Sequence, residues 1–129
     1  KIFVCSMADL FGEWIPKEWI DEIIKIVKIY QGYTFQFLTK NPKRYLEFEF
    51  PQNCWLGTTI ESAEYGNRMK PFADIKNYKF ISIEPLLGDF TGMNFSRFDL
   101  VIVGAMTGAR TIKPKKEWID SIKHPNIFY

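Results

Sequence analysis

The feature that most constrains this sequence is an alternation. Short runs rich in β-branched and aromatic residues alternate with stretches whose apolar residues recur at three- and four-residue spacing, the signature of repeated β-α units around a parallel sheet. Six strand-like runs can be read: Ile2–Cys5, Thr34–Thr39, Cys54–Thr59, Lys79–Glu84, Leu100–Gly104 and Asn126–Tyr129. The third to fifth carry Trp55, Leu56, Phe80, Ile81, Ile83, Val101, Ile102 and Val103. Such near-continuous apolarity belongs to strands covered on both faces.

Between the strands, the spacing predicts a clear helix opening at Pro16, where a missing N–H costs nothing. Trp19, Ile20, Ile23, Ile24, Val27 and Tyr30 form its inward face and Gly32 closes it. A second helix opens at Asn41-Pro42, with Asn as cap, and runs toward Phe48 before Pro51. Ser62 to Ala73 is a weaker helix, interrupted by Gly66 and Pro71. The last starts at Pro114 and buries Trp118, Ile119 and Ile122. Lys17-Glu18-Trp19-Ile20-Asp21 returns as Lys116-Glu117-Trp118-Ile119-Asp120; acids in a first helical turn suit the helix dipole, so two helix starts account for both, with a duplicated β-α unit as the alternative.

Composition narrows the function classes. In 129 residues, 17 Lys and Arg against 15 Asp and Glu leave a net charge of +2. That falls far short of the basic excess that phosphate-backbone binding demands, so charge does not indicate nucleic acid as a partner. No apolar run reaches the roughly 18 residues of a membrane span, and no secretion signal is written, so a cytoplasmic setting is the expectation. Cys5 and Cys54 both fall in apolar stretches and are expected to be buried thiols rather than a disulfide. With His124 the only histidine, no metal site and no Ser-His-acid triad is present. His124 beside Pro125 is expected at the surface. Aromatics make up 17% of the chain, and their strand and helix periods assign them mostly to the core.

In parallel β/α architectures the loops leaving the C-terminal strand ends supply the site. Polar residues stand just past every strand: Ser6 and Asp9 after the first; Thr39, Lys40 and Asn41 after the second; Thr59, Glu61 and, further on, Asn67 and Arg68 after the third. The fourth ends in Glu84-Pro85 and the fifth runs into Gly104 to Gly108. Thr39-Lys40-Asn41-Pro42 also reads simply as a strand end and a helix cap. Glu84 is held extended by the following Pro85 at the end of a buried strand. It either hydrogen-bonds a hydroxylated or cationic ligand or forms a salt bridge with Lys40 or Arg110. The Gly104 to Gly108 turn lets backbone N–H groups approach an anion or a flat ligand, although it matches neither the P-loop nor the dinucleotide fingerprint.

Several phrases, in order, carry a resemblance: Phe3-Val4-Cys5-Ser6-Met7-Ala8-Asp9-Leu10-Phe11, Phe35 through Arg44, Trp55-Leu56-Gly57-Thr58-Thr59-Ile60-Glu61, Ile81 through Gly88, and Val101-Ile102-Val103-Gly104. Together they resemble a phage- and prophage-associated family of uncharacterised proteins that looks like a relative of the radical S-adenosylmethionine enzymes. The resemblance covers nearly the whole chain. It implies a barrel-type β/α fold and places Ser6, Asp9, Thr39, Lys40, Glu61, Glu84 and the Gly104 region at the barrel mouth. Longer members carry an upstream cysteine-rich segment of the kind that holds a [4Fe–4S] cluster, absent from these 129 residues. The family's Gly-Glu-Ser-Gly character after the fifth strand is replaced by Gly104-Ala105-Met106-Thr107-Gly108, so an acidic residue is missing.

The resulting expectation is a single α/β domain over residues 1–129, its parallel β-α units forming part of a TIM-type barrel, with an open doubly wound sheet as the alternative. Six strands in this length do not close an eight-stranded barrel, and bare strands at both termini read as a piece of a longer chain. The expected ligand is S-adenosylmethionine or a nucleotide-like small molecule at Ser6, Asp9, Thr39, Lys40, Thr59, Glu61, Glu84, Gly104 and Gly108, with the cofactor and cluster belonging to a longer form. The competing expectation is a non-catalytic phage accessory domain that binds a protein partner, or itself, through open sheet edges.

Overall fold

A computed structural model describes residues 1–129. The strands are β1 (Ile2–Phe3), β2 (Phe35–Thr39), β3 (Cys54–Thr59), β4 (Tyr78–Ile83), β5 (Leu100–Val103) and β6 (Ile127–Phe128). They form one sheet in chain order, every neighbouring pair parallel. Each crossover sets the next strand beside the last, and the sheet curls into half a barrel. A doubly wound sheet reverses its strand order part-way. This one never reverses, which overturns the doubly wound alternative.

Period two along the strands separates two faces. Phe35, Phe37, Cys54, Leu56, Ile81, Ile83, Val101 and Val103 point one way and join a single core cluster of 22 buried residues. Helix α1 (Lys17–Ile29) closes over them with Ile20, Ile24 and Val27. Tyr45 and Phe72 reach the same cluster from 3-10 helices at Pro42–Glu47 and Ala63–Phe72. Phe11 is its aromatic hub, edge-on to Phe37 at 5.8 Å and to Tyr45 at 4.7 Å. The fully buried Tyr45 hydroxyl donates to the Gly57 carbonyl at 2.8 Å, and burial raises its pKa well above the usual phenol value.

The opposite face is built from Gln36, Leu38, Trp55, Tyr78, Leu100 and Ile102, all half-buried. Trp55 and Tyr78 are cross-strand partners and stack with centroids 4.0 Å apart, with Lys1 Nζ 4.3 Å from the Trp55 ring. Of the large side chains there only Phe80 is fully covered, because its ring lies over Gly57, where a Cβ would meet it at 2.4 Å; Thr59 and Ser82 are buried on the same face nearer the rim.

Several local expectations are corrected. Strand β1 stops at Phe3 because Cys5 takes φ 54°, outside the extended region, and Cys5 is exposed rather than buried. Cys54 is buried, and burial pushes its thiol pKa up to about 12. Trp19 and Tyr30 lie outside the buried stripe of α1, at 63% and 53% exposure. The end of α1 is held not by Gly32 but by Asn53, whose Nδ2 donates to the Val27, Tyr30 and Tyr33 carbonyls. The two middle helices are 3-10 rather than α. The last, α2 (Lys116–Ser121), leaves Trp118 and Ile119 half-buried and buries only Ile122 beyond its end. His124 is half-buried between the Phe98 carbonyl and the Asn126 backbone, so it braces a turn.

Candidate functional site

Because every strand runs the same way, all the loops after the C-terminal strand ends emerge on one rim. Two groups of side chains form there. The first begins at Asp9, whose Oδ1 accepts from the Thr39 hydroxyl at 2.7 Å and the Phe11 N–H at 3.0 Å, while Oδ2 accepts from the Lys40 N–H at 2.9 Å. Asn41, expected as a helix cap, instead donates its side-chain amide to the Phe11 carbonyl at 3.0 Å. Asp9, Thr39 and Asn41 therefore stitch the loop after β1 to the end of β2.

Arg44 completes this stitching. Its buried guanidinium donates to the Gly12 carbonyl and, at 2.6 Å, to the Ile15 carbonyl. Sequence reasoning missed it as an anchor. Its neighbours at helical spacing, Asn41 and Glu47, are polar, so the sequence reads it as a surface arginine.

Next along the rim stands Glu61, its side chain only 13% exposed. Lys40 Nζ pairs with Oε1, and Arg68 Nη1 donates to Oε2 at 3.0 Å and to the Thr59 carbonyl at 2.8 Å. Burial alone pushes the Glu61 pKa up. The Lys40 hydrogen bond and charge, with Arg68 behind them, outweigh burial and hold the carboxyl below its usual range.

The second group sits one strand over, since Thr59 and Ser82 are register partners. The buried Ser82 hydroxyl donates to Glu84 Oε2 at 2.9 Å. The Glu84 side chain lies against Gly104, where a Cβ would fall 2.4 Å from Oε1. Neither Lys40 nor Arg110 reaches Glu84: Lys40 is committed to Glu61, and the only side-chain partner of the exposed Glu84 carboxylate is Ser82. Ser82 was also overlooked, although it stands two residues before Glu84 on one strand and so shares its face.

The strand-end pocket measures about 190 Å³ and is lined by Cys5, Ser6, Asp9, Thr39, Lys40 and Thr59, with Phe3, Ala8 and Leu38. Ser6 is exposed at its edge and Thr39 and Thr59 are buried in its wall. Glu61, Glu84, Gly104 and Gly108 do not line this pocket, and Gly108 is exposed at φ 112°.

The whole of this rim falls within residues 1–126, which match the family described as "Protein of unknown function (DUF5131)". The chain belongs to that family. No curated protein and no solved structure matches it. In this DUF5131 chain the residues present do not fit a [4Fe–4S] cluster. Such a cluster asks for three or four thiolates, and no group of three or more His, Cys, Asp or Glu side chains is placed to hold a metal. Cys5 lies past the end of β1, whereas Cys54 opens β3 at the opposite end of the sheet with a thiol that burial keeps protonated.

Proposed function

We propose that the C-terminal rim binds a small hydroxylated or cationic ligand of nucleotide type, with S-adenosylmethionine the first to test, as the barrel portion of a radical-enzyme-like protein of phage-associated kind. The observation that carries this reading is Glu84. It is held by Ser82 and seated on Gly104, yet free of any cation, so it keeps acceptor capacity for a ribose hydroxyl or an ammonium group. The strand-end pocket is smaller than the roughly 300–1,000 Å³ usual for whole ligands. It therefore seats part of the ligand, and the remainder lies along the uncovered sheet face and reaches Glu84, which stands outside the pocket. Any cluster needed for radical chemistry would come from residues outside these 129.

Calorimetric titration of the chain with S-adenosylmethionine tests the reading. Saturable binding is expected, with Glu84→Ala weakening it about tenfold or more, as for a lost charged hydrogen bond, at an almost unchanged melting temperature. Parallel losses of stability and affinity would return Glu84 to a structural role.

A second reading, a non-catalytic phage accessory domain that binds a protein, is favoured by the sheet edges. Strands β1 and β6 are two residues each and leave Ile2, Phe3 and Phe128 exposed beside open backbone. Absence of ligand binding together with concentration-dependent sedimentation would favour it.

A further inference from the structure

Lys40 lies between two clefts and lines both. One is the strand-end pocket. On its far side the 3-10 helices Pro42–Glu47 and Ala63–Phe72 pack together and leave a cleft of about 220 Å³, lined by Lys40, Asn41, Lys43, Asn67 and Arg68 between two prolines. No carboxylate lines it. The cavity holding Lys17, Lys25 and Lys28 differs, since it also holds Asp21, Glu47 and Glu49. The larger cavity of about 450 Å³ beside Met69 and Met93 is half apolar, and its Arg97 pairs with Asp74.

Arg68 makes the cleft more than a cluster of surface lysines. Its side chain is only 20% exposed, its guanidinium lies 4.4 Å from the Tyr65 ring centroid, and Nη1 is pinned by the Thr59 carbonyl and Glu61. Its Nε and Nη2 have no acceptor in the chain and are not sealed from solvent. The guanidinium is thus oriented in advance with donors to spare. Lys40 remains 58% exposed beyond its contact with Glu61, and Lys43 has only a loose 3.2 Å pairing with the exposed Glu13. One carboxylate, Glu61, serves both Lys40 and Arg68, so the cleft keeps a positive excess.

We propose that this cleft is a binding site for a phosphoryl group. A tetrahedral dianion offers enough acceptor oxygens for the Arg68 fork and two ammonium groups at once, and a planar guanidinium suits phosphate geometry. The group arrives either as free phosphate or on a small phosphorylated metabolite. The site shares Lys40 with the strand-end pocket but needs neither Glu84 nor Ser82.

The test titrates the intact chain with inorganic phosphate and, separately, with adenosine monophosphate, following backbone amide shifts at low ionic strength. Both probes are expected to saturate and to move the amides of residues 40–43 and 67–68. Tighter binding of the monophosphate, with the amides of residues 82–84 unmoved, would identify a phosphorylated metabolite as the source; equal binding would identify free phosphate, and tighter binding that moves residues 82–84 would assign the nucleotide to the Glu84 rim and overturn its use of this cleft. Arg68→Gln is expected to weaken either probe about tenfold or more, and Lys43→Ala about threefold. Lys28→Ala on α1 should have no effect. Because Arg68 also holds the Thr59 carbonyl, the solvent-exposed Lys43→Ala variant keeps the test decisive if Arg68→Gln fails to fold. Absence of saturation, or equal weakening by Lys28→Ala and Lys43→Ala, would overturn the proposal.

Discussion

The two faces of the sheet are both apolar but are used differently. On the outer face Phe37, Leu56, Ile81 and Val101 are sealed beneath α1, the 3-10 helices and the connecting loops. On the inner face of the curl Leu38, Trp55, Leu100 and Ile102 stay half-buried, and Phe80 is covered only because Gly57 leaves room beneath it. The outer face therefore carries most of the stability, because hydrophobic stabilisation scales with area removed from water. The inner face is released from that duty. It is also the face that carries Ser82 and, on the same period, Glu84 to the rim.

The largest expected effect lies on the outer face. Phe37→Ala removes a fully buried ring from the centre of the aromatic cluster and should cost about 3–5 kcal/mol in urea unfolding. Trp55→Ala on the inner face removes a half-exposed ring, its stack on Tyr78 and its contact with Lys1, and should cost about 1–2 kcal/mol by the same measurement. Equal costs would break the contrast between the faces.

The smallest effect is at the rim, where Glu61→Gln probes the depressed carboxyl. A folded-state pKa below the unfolded one stabilises the protein above the ordinary value of 4.5, and that stabilisation is lost as pH falls through the folded value. The melting temperature of the native chain should thus exceed that of Glu61→Gln at neutral pH, with the gap narrowing below pH 4.5. A gap constant through that window would mean that Lys40 and Arg68 do not favour the ionised form.

Much of the fold was legible because its signals are local. Cys54–Thr59 is read from the sequence with the bounds it has in the fold, and the other strands shift by one or two residues. The errors came where distant residues intervene. Trp19 is spaced four residues from Ile23, yet it stands at the margin of the stripe that Ile20, Ile24 and Val27 bury against the sheet and is left exposed. Asn41 looks like a cap, but the Phe11 carbonyl, thirty residues away, takes its amide. At the site, the residue types at each strand end were readable, but their partners were not. Glu84 and Glu61 look equivalent as rim acids, yet one meets a serine and the other two cations.

The sequence by itself determined that strands and helices alternate, roughly where each begins, and which polar residues follow each strand, since periodicity and punctuation act over a few neighbouring residues. Only the tertiary structure decided that the sheet runs in unbroken order, that one face lies open, and that Glu84 stands without a cation. Those outcomes depend on register and curl, which set the distances between side chains on different strands and are written in no single segment of the chain.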